Sequence, residues 1–329
     1  MDTKKHFDWS WLMGVPFGLL YGAVTRILFG LRVPNDDLYS SIFSTMSVAF
    51  LFFVPLVVGA LAVWFSPVEK RTSWTSAFLL PIAALGLGAL MAGILAVEAL
   101  ICIIMALPIL LPMGMIGGLL ACLILRHRAA KNNSAYMGAL ILLPFLAAPV
   151  EAQFAVQNAT AVVESQIEIK ADAATVWQQI IRVAPITERE RSFSPVFDWI
   201  RAPKPLEATL DREGVGGVRT GKFEHGLKFI EAIQVWQPNE RIEWSIQSDT
   251  HAVDEGPWGE IGGKFFDVTA ASYWIEPISE NKVILHLNST HRLTTRFNSY
   301  GLLWTRWGLS EFQEEVLRVI KGRCERASN

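Results

Sequence analysis

Apolar and polar residues are distributed very differently in the two parts of this chain. Residues 1–150 consist mostly of long apolar runs, whereas residues 151–329 mix short apolar segments with charged ones. A helix crosses a bilayer with about 20 consecutive apolar residues. The long runs therefore predict a bundle of five transmembrane helices, at about residues 9–31, 42–65, 76–97, 105–125 and 135–151.

The basic residues of the predicted loops indicate an orientation. With five spans, one side of the membrane receives most of the Lys and Arg residues, namely Lys4, Lys5, Lys70, Arg71, Arg126, Arg128 and Lys131. The other side receives Arg32 and the end of the helix that carries Arg26. Because cytoplasmic loops carry an excess of Lys and Arg, the N-terminus is expected in the cytoplasm. An odd number of spans then places residues 151–329 on the opposite, extracytoplasmic side of the membrane.

Glycine spacing predicts how the first helix packs. Gly14, Gly18 and Gly22 recur every four residues and share one helix face, which permits the close approach of another helix. That helix belongs either to the same chain or to a second copy in a homo-oligomer. Arg26 and Glu98 lie near segment ends, where an interfacial position explains their charges without a transport pathway.

Residues 161–329 show the short periodicities of a domain that mixes helices and strands. Asp172 is a good N-cap for a helix at 173–183, a short helical piece follows at 188–199, and an amphipathic helix closes the chain at about 304–325. Alternating segments predict strands at 162–169, 217–224, 227–236, 241–247, 266–277 and 282–293. The chain is thus divided into a transmembrane domain at 1–152, a linker at 153–160 and a second domain at 161–329.

Composition agrees with this division and excludes several classes of protein. The whole chain is 51% hydrophobic and 18% charged, against roughly 25% charged residues in an average soluble domain. Residues 151–329 carry more acidic than basic residues and no basic stripe, which argues against nucleic-acid binding. Cys324 is the sole cysteine of that part, so a disulfide within it is excluded. Neither a nucleophile motif nor a metal-ligand cluster is visible, so no cofactor or metal is expected.

The order of strand, two helices, antiparallel strands and a long final helix resembles the START-like, or SRPBCC, superfamily. That superfamily includes polyketide cyclase/dehydrase-like proteins and plant pollen-allergen-type lipid binders. The resemblance rests on the opening segment 167–177, on 226–231 running to 236–238, and on the closing strand and helix. A membrane-anchored bacterial subgroup is similar at 292–298 and 303–305 as well.

The resemblance implies a helix-grip fold, in which a curved antiparallel sheet wraps around the terminal helix and leaves a cavity between them. Relatives hold sterols, lipids, polyketides or other apolar molecules there, and a few catalyse reactions. Because a fold alone does not assign a function, the individual residues decide which of these properties to expect.

Glu231 is the first residue that could carry chemistry. It shares one strand face with Leu227, Phe229, Ile233 and Val235, and is thus an acid within an apolar row. A buried carboxylate needs a partner or a raised pKa. Two interpretations stay open: Glu231 anchors a ligand or acts as a general acid or base, or it forms a structural salt bridge with Arg219 or another neighbour.

His291 is the second such residue. It follows Val283, Leu285 and Leu287 on one strand face, so it is placed to look into the mouth of the cavity. A hydrogen-bonded structural histidine is the alternative interpretation. His286 lies an odd number of residues away, is expected on the opposite, solvated face, and cannot pair with His291 around a metal.

The sequence therefore predicts a membrane-anchored START-like domain that binds a hydrophobic ligand such as a lipid, for binding, transfer or sensing. Its expected partners are that apolar molecule and the membrane. The alternative is an enzyme of the polyketide cyclase/dehydrase-like type that uses Glu231 and His291 as acid–base groups on an apolar substrate. The candidate ligand-binding residues are Arg219, Phe229, Glu231, Trp244, Trp274, Leu287, His291, Trp304 and Phe312.

Overall fold

The computed structural model describes residues 9–31, 37–127, 133–253 and 257–327. The chain packs as two compact units, Met1–Ala155 and Val156–Asn329. The first is helical and the second combines a large sheet with two helices, in agreement with the predicted fold class.

The N-terminal unit contains apolar helices of unequal length. They are α1 (Val15–Gly30), α2 (Asp37–Ile42), α3 (Val54–Trp64), α4 (Trp74–Ile94), α5 (Leu100–His127) and α6 (Asn133–Ala152). Four helices of the described residues are long and apolar enough to cross a membrane, namely Leu12–Gly30, Trp74–Ile94, Leu100–His127 and Ala135–Ala152. The remaining predicted span, 42–65, corresponds to a shorter apolar helix, Ala49–Trp64, whose first turn is a π-helix over Ala49–Phe53.

The glycine face of α1 packs against α3 of the same chain. A Cβ atom added at Gly14 would lie 1.8 Å from the Ala62 carbonyl oxygen, and one at Gly18 would lie 2.8 Å from that of Val58. Only glycine permits such an approach between two helix backbones. Of the two partners that the sequence left open, the structure shows the helix of the same chain, so α3 already covers this face.

The C-terminal unit is built on one antiparallel sheet of seven strands in the order β1-β7-β6-β5-β4-β3-β2. The strands are β1 (Ala159–Ile169), β2 (Pro205–Leu210), β3 (Val218–Phe223), β4 (Lys228–Gln237), β5 (Arg241–Asp249), β6 (Phe266–Ser279) and β7 (Lys282–Leu293). Two helices, α7 (Ala173–Ile181) and α8 (Asn298–Ala327), complete it. Because α8 packs against β1, β7 and α7, the arrangement is a helix-grip fold.

Local sequence explains the elements that were predicted correctly. Asp172 caps α7 by accepting a hydrogen bond of 2.7 Å from the Thr175 backbone N–H. Strand β5 places Ile242 and Trp244 in the core, and Ile246 packs against it, as strict alternation requires. The largest fully buried aliphatic residues of this core are Ile169, Ile180, Ile181, Ile233, Ile242, Ile275, Leu285, Leu317 and Ile320.

Three features differ from the sequence-based expectation. Strand β2 was not predicted, because Pro205 and Glu207 interrupt its apolar pattern. Helix α8 begins at Asn298, six residues before the predicted start at 304. A bulge between Ile233 and Val235 shifts the register of β4, so Trp236 rather than Val235 packs against the core, edge-on to Trp177 at 5.1 Å between ring centroids.

Candidate functional site

A buried ion pair lies on the inner face of the sheet. Arg219 on β3 and Glu231 on β4 are directly opposite each other in the strand register. An Nη1–H of Arg219 donates to Glu231 Oε2, and each residue is only 5% exposed. The structure therefore shows the salt bridge that was one of the two interpretations of Glu231.

Burial and the mutual attraction of the two charges set the pKa values of this pair. The Arg219 guanidinium lies over the Trp244 ring, 5.0 Å from its centroid. Burial lowers and the Glu231 carboxylate raises the pKa of Arg219, with a net rise, so the guanidinium stays charged. Burial raises the pKa of Glu231, while the charge of Arg219 opposes that rise. Burial also raises the pKa of nearby Tyr273 to about 12, so its phenol stays neutral and can donate a hydrogen bond.

Two N–H groups beside the ion pair have no acceptor among the described residues. They are Arg219 Nε and Trp244 Nε1, and both are buried. A buried donor without a partner costs about 1–3 kcal/mol. Each N–H can donate to the oxygen of a carbonyl, hydroxyl or carboxyl group, so this part of the inner face fits a hydrogen-bond acceptor.

A second polar group lies where β7 meets α8. The ring nitrogen Nε2 of His291 is 3.0 Å from Thr305 Oγ1, and Gln313 donates to Ser289 Oγ and to the Val163 carbonyl oxygen, each at 3.0 Å. Burial, and then the charge of Arg306, lower the pKa of His291, so the imidazole is neutral. His291 Nδ1 and Gln313 Oε1 have no partner among the described residues.

Glu231 and His291 do not form one acid–base pair in this structure. Strands β5 and β6 lie between β4 and β7, so three strand spacings, or about 14 Å along the sheet, separate their backbones. Each side chain also has its own partner, Arg219 for Glu231 and Thr305 for His291. A general acid and a general base must reach a common point, and nothing in these contacts brings the two together.

The other predicted ligand-binding residues are not all on the same face. Trp244 and Leu287 belong to the inner core, and Phe312 packs against it with its ring 5.6 Å from that of Phe223. Phe229 also contacts Phe223, at 4.9 Å between ring centroids, and Trp304 lies edge-on to Trp307 at 6.0 Å.

Trp274 and His286 lie together on the outer face, which corrects two expectations. Trp274 is 44% exposed and stacks on the His286 ring at 4.6 Å, so it does not join the inner group. His286 is only 6% exposed rather than solvated, because Trp274 covers it and Glu276 lies 3.0 Å from its Nε2. Within the described ranges, no cluster of His, Cys, Asp or Glu could hold a metal ion.

Sequence reasoning missed two residues of the inner face. Tyr273 alternates with Ile275 on β6, and this alternation could have identified it as inward-facing. Gln313 follows Phe312 on the face of α8 predicted to be buried, and it is 0% exposed. A polar residue on an otherwise apolar helix face was the signal.

The similarity of this chain to known proteins is low. No family model matches the sequence, and no curated protein is significantly similar to it. Among solved structures, a START superfamily protein from Mycobacterium smegmatis is 15% identical, with 50% of this chain and 98% of that chain covered and a TM-score of 0.33. The Zhui aromatase/cyclase from Streptomyces sp. R1128 is 16% identical, with coverages of 52% and 97% and a TM-score of 0.31.

A third similar structure is norcoclaurine synthase from Thalictrum flavum in complex with dopamine and hydroxybenzaldehyde. It is 12% identical, with 50% of this chain and 87% of that chain covered and a TM-score of 0.29. Likenesses this low say nothing about shared chemistry. The helix-grip assignment therefore rests on the strand order and helix positions of the chain itself.

Proposed function

We propose that the C-terminal unit binds a hydrophobic ligand that carries a hydrogen-bond acceptor, such as a lipid, and that the N-terminal helices hold it at a membrane. The observation that carries this proposal is the pair of buried donors, Arg219 Nε and Trp244 Nε1, which have no acceptor among the described residues. A ligand oxygen would recover the free energy that two unpaired buried donors cost.

The surroundings of these donors favour an apolar ligand body. Phe223 contacts both Phe229 and Phe312 on the same side of the sheet as the ion pair. Ligand sites of this kind combine apolar walls with a few placed polar groups. The neutral phenol of Tyr273 and the charged guanidinium of Arg219 add donors, so the polar end of the ligand is expected to accept hydrogen bonds.

The N-terminal helices support a location in a membrane, which is also a source of lipid. Four of them have the length and composition of transmembrane helices. With the shorter apolar helix Ala49–Trp64 as a fifth crossing, the loop charges favour a cytoplasmic N-terminus and a C-terminal unit on the opposite side of the membrane. The role is then capture, transfer or sensing of a lipid on the outer side of a bacterial inner membrane.

The enzyme alternative has less support. It requires Glu231 and His291 to act on one substrate, and two strands separate β4 from β7. Binding by the acceptor site needs no such convergence.

The test is to purify the full chain in detergent, extract bound lipids and identify them by mass spectrometry. Trp244→Phe removes one unpaired N–H and keeps an aromatic ring, whereas Trp274→Phe makes the same change on the outer face. We expect lipid retained per protein to fall about 3- to 10-fold in Trp244→Phe and to stay unchanged in Trp274→Phe. Wild-type protein that retains no lipid beyond bulk detergent levels would overturn the proposal.

A further inference from the structure

Helix α8 has a gap in its contacts at Gly308. A Cβ atom added there would have no heavy atom of the described residues within 4 Å, although the residue is half-buried. The other glycine on this part of the helix differs, because a Cβ at Gly301 would lie 2.6 Å from Leu293 Cδ2. Close packing thus explains Gly301 but not Gly308.

The residues around Gly308 place it on the side of α8 that contacts the rest of the unit. Residues three and four positions apart lie on the same side of a helix. Thr305 contacts His291, Glu311 accepts a hydrogen bond of 2.7 Å from Ser194 Oγ, and the Phe312 ring lies 5.6 Å from that of Phe223. Gly308 therefore lies among residues that touch β7, β3 and the segment at 194, and its own position is empty between them.

The rim of the gap is aromatic and its inner edge is polar. Trp307 packs with Val196 and Phe197, on the turn that follows Ser194. On the other side, His291 Nδ1 is buried without a partner among the described residues. A hydrophobic molecule that passed Gly308 would meet aromatic rings first and a polar group behind them.

Glycine also weakens a helix relative to alanine, because it gives up more backbone freedom when the helix forms. Neither a left-handed backbone nor close packing requires glycine at 308, since the residue is helical and has open space beside it. The remaining explanation for glycine at this position is that the open space beside residue 308 is needed.

We propose that Gly308 forms the mouth through which the ligand reaches the inner face of the sheet, and that the absence of a side chain sets its width. This inference rests on the proposed binding function. It predicts that linear or flat apolar molecules are admitted, and that a large side chain at 308 closes the site without touching the ion pair of Arg219 and Glu231.

The experiment uses the full chain in liposomes and a fatty acid that carries a diazirine in its acyl chain. After irradiation, labelled peptides are identified by mass spectrometry. The variants are Gly308→Phe, Gly308→Ala and the matched control Gly322→Phe, at a helical glycine whose Cβ would meet only the Arg326 guanidinium, at 3.6 Å.

We expect labelling of wild-type peptides from β5 and β7 to fall at least fivefold in Gly308→Phe. Gly308→Ala should change it less than twofold, and Gly322→Phe should leave it unchanged. If Gly308→Phe melts like the wild type and is labelled equally, the mouth is not at Gly308 and the binding function stands. If wild-type β5 and β7 are never labelled, both proposals fall.

A second measurement covers the case in which Gly308→Phe does not fold. Gly308→Cys and Gly322→Cys are treated with a thiol reagent with and without the same fatty acid. The fatty acid should slow modification at position 308 at least threefold and leave position 322 unaffected. Equal rates at 308 with and without the fatty acid would overturn the proposal.

Discussion

Charged residues are exposed to water on one face of the C-terminal sheet and buried on the other. On the outer face, Lys282 pairs with Glu168 at 2.9 Å, and these side chains are 38% and 49% exposed. On the inner face, the side chains of Arg219 and Glu231 are 6% and 7% exposed and lie among aromatic rings. The outer pair is solvated, whereas the inner pair has lost its water.

The contrast indicates which charged residues need a functional explanation. Exposed ion pairs contribute little to stability, because water screens them and long side chains lose entropy. A buried pair often contributes no more than a well-packed apolar pair would, yet removal of one partner is strongly destabilising. Arg219 and Glu231 are therefore poorly explained by stability alone, and the unpaired donors beside them favour a role in binding.

The largest effect is expected from breaking the inner ion pair. Arg219→Met leaves the Glu231 carboxylate buried without its partner and should lower the free energy of unfolding by about 3–5 kcal/mol. Urea unfolding of the full chain in detergent measures this. The control is Arg241→Met, because Arg241 pairs with Glu243 and is 51% exposed; it should cost less than about 1 kcal/mol. Equal losses in both variants would contradict the contrast between the faces.

A somewhat smaller effect is expected from an apolar truncation. Ile242 on β5 is 0% exposed, and Ile278 on β6 is 48% exposed. Ile242→Ala creates a cavity and should cost about 2–4 kcal/mol. The same truncation at Ile278 should stay within about 0.5 kcal/mol. The same urea titration compares them, and a costly Ile278→Ala would mean that another surface covers the outer end of β6.

The smallest effect concerns pH and His291. Its pKa is lowered from the ordinary 6.5 by burial and then by Arg306. The unfolded chain thus binds a proton more readily, so the stability linked to His291 is complete above pH 6.5 and is lost as the pH falls through 6.5 towards the lower folded pKa. Relative to His291→Gln, the wild type should lose up to about 1 kcal/mol between pH 7.5 and pH 5.5.

Urea midpoints at several pH values measure this loss. Thr305→Val removes the partner of His291 but keeps the imidazole, so it should retain the pH dependence. A difference between wild type and His291→Gln that does not change with pH would show that His291 is not linked to stability in this way.

Much of the C-terminal fold could be predicted from local patterns. The cap at Asp172, the alternation of β5 and the order of elements each follow from residues close together in the chain. The prediction from strand periodicity was wrong where a β-bulge interrupts the strand. The bulge after Ile233 moved Trp236 inward, and no periodicity reveals one extra residue in a strand.

The individual residues of the candidate site could be predicted from the sequence, but the contacts between them could not. Alternation placed Glu231 and His291 on apolar strand faces, and both are buried on the inner side. The burial of His286 was missed, because Trp274 and Glu276, which cover it, come from the neighbouring strand. The alternation of side chains determines on which face of a strand a residue lies. The neighbouring strands determine which side chains it contacts there.

An apolar helical part and a mixed α and β part could both be recognised in the sequence, since hydrophobic periodicity is a local property. Outside the bulge of β4, the sequence also predicts which residues of a strand share a face. The contact of Arg219 with Glu231, the packing of α3 on the glycines of α1 and the open space beside Gly308 became visible in the folded structure alone. These outcomes depend on strand register and helix packing, which bring together residues far apart in the chain, and no local pattern encodes the distance between them.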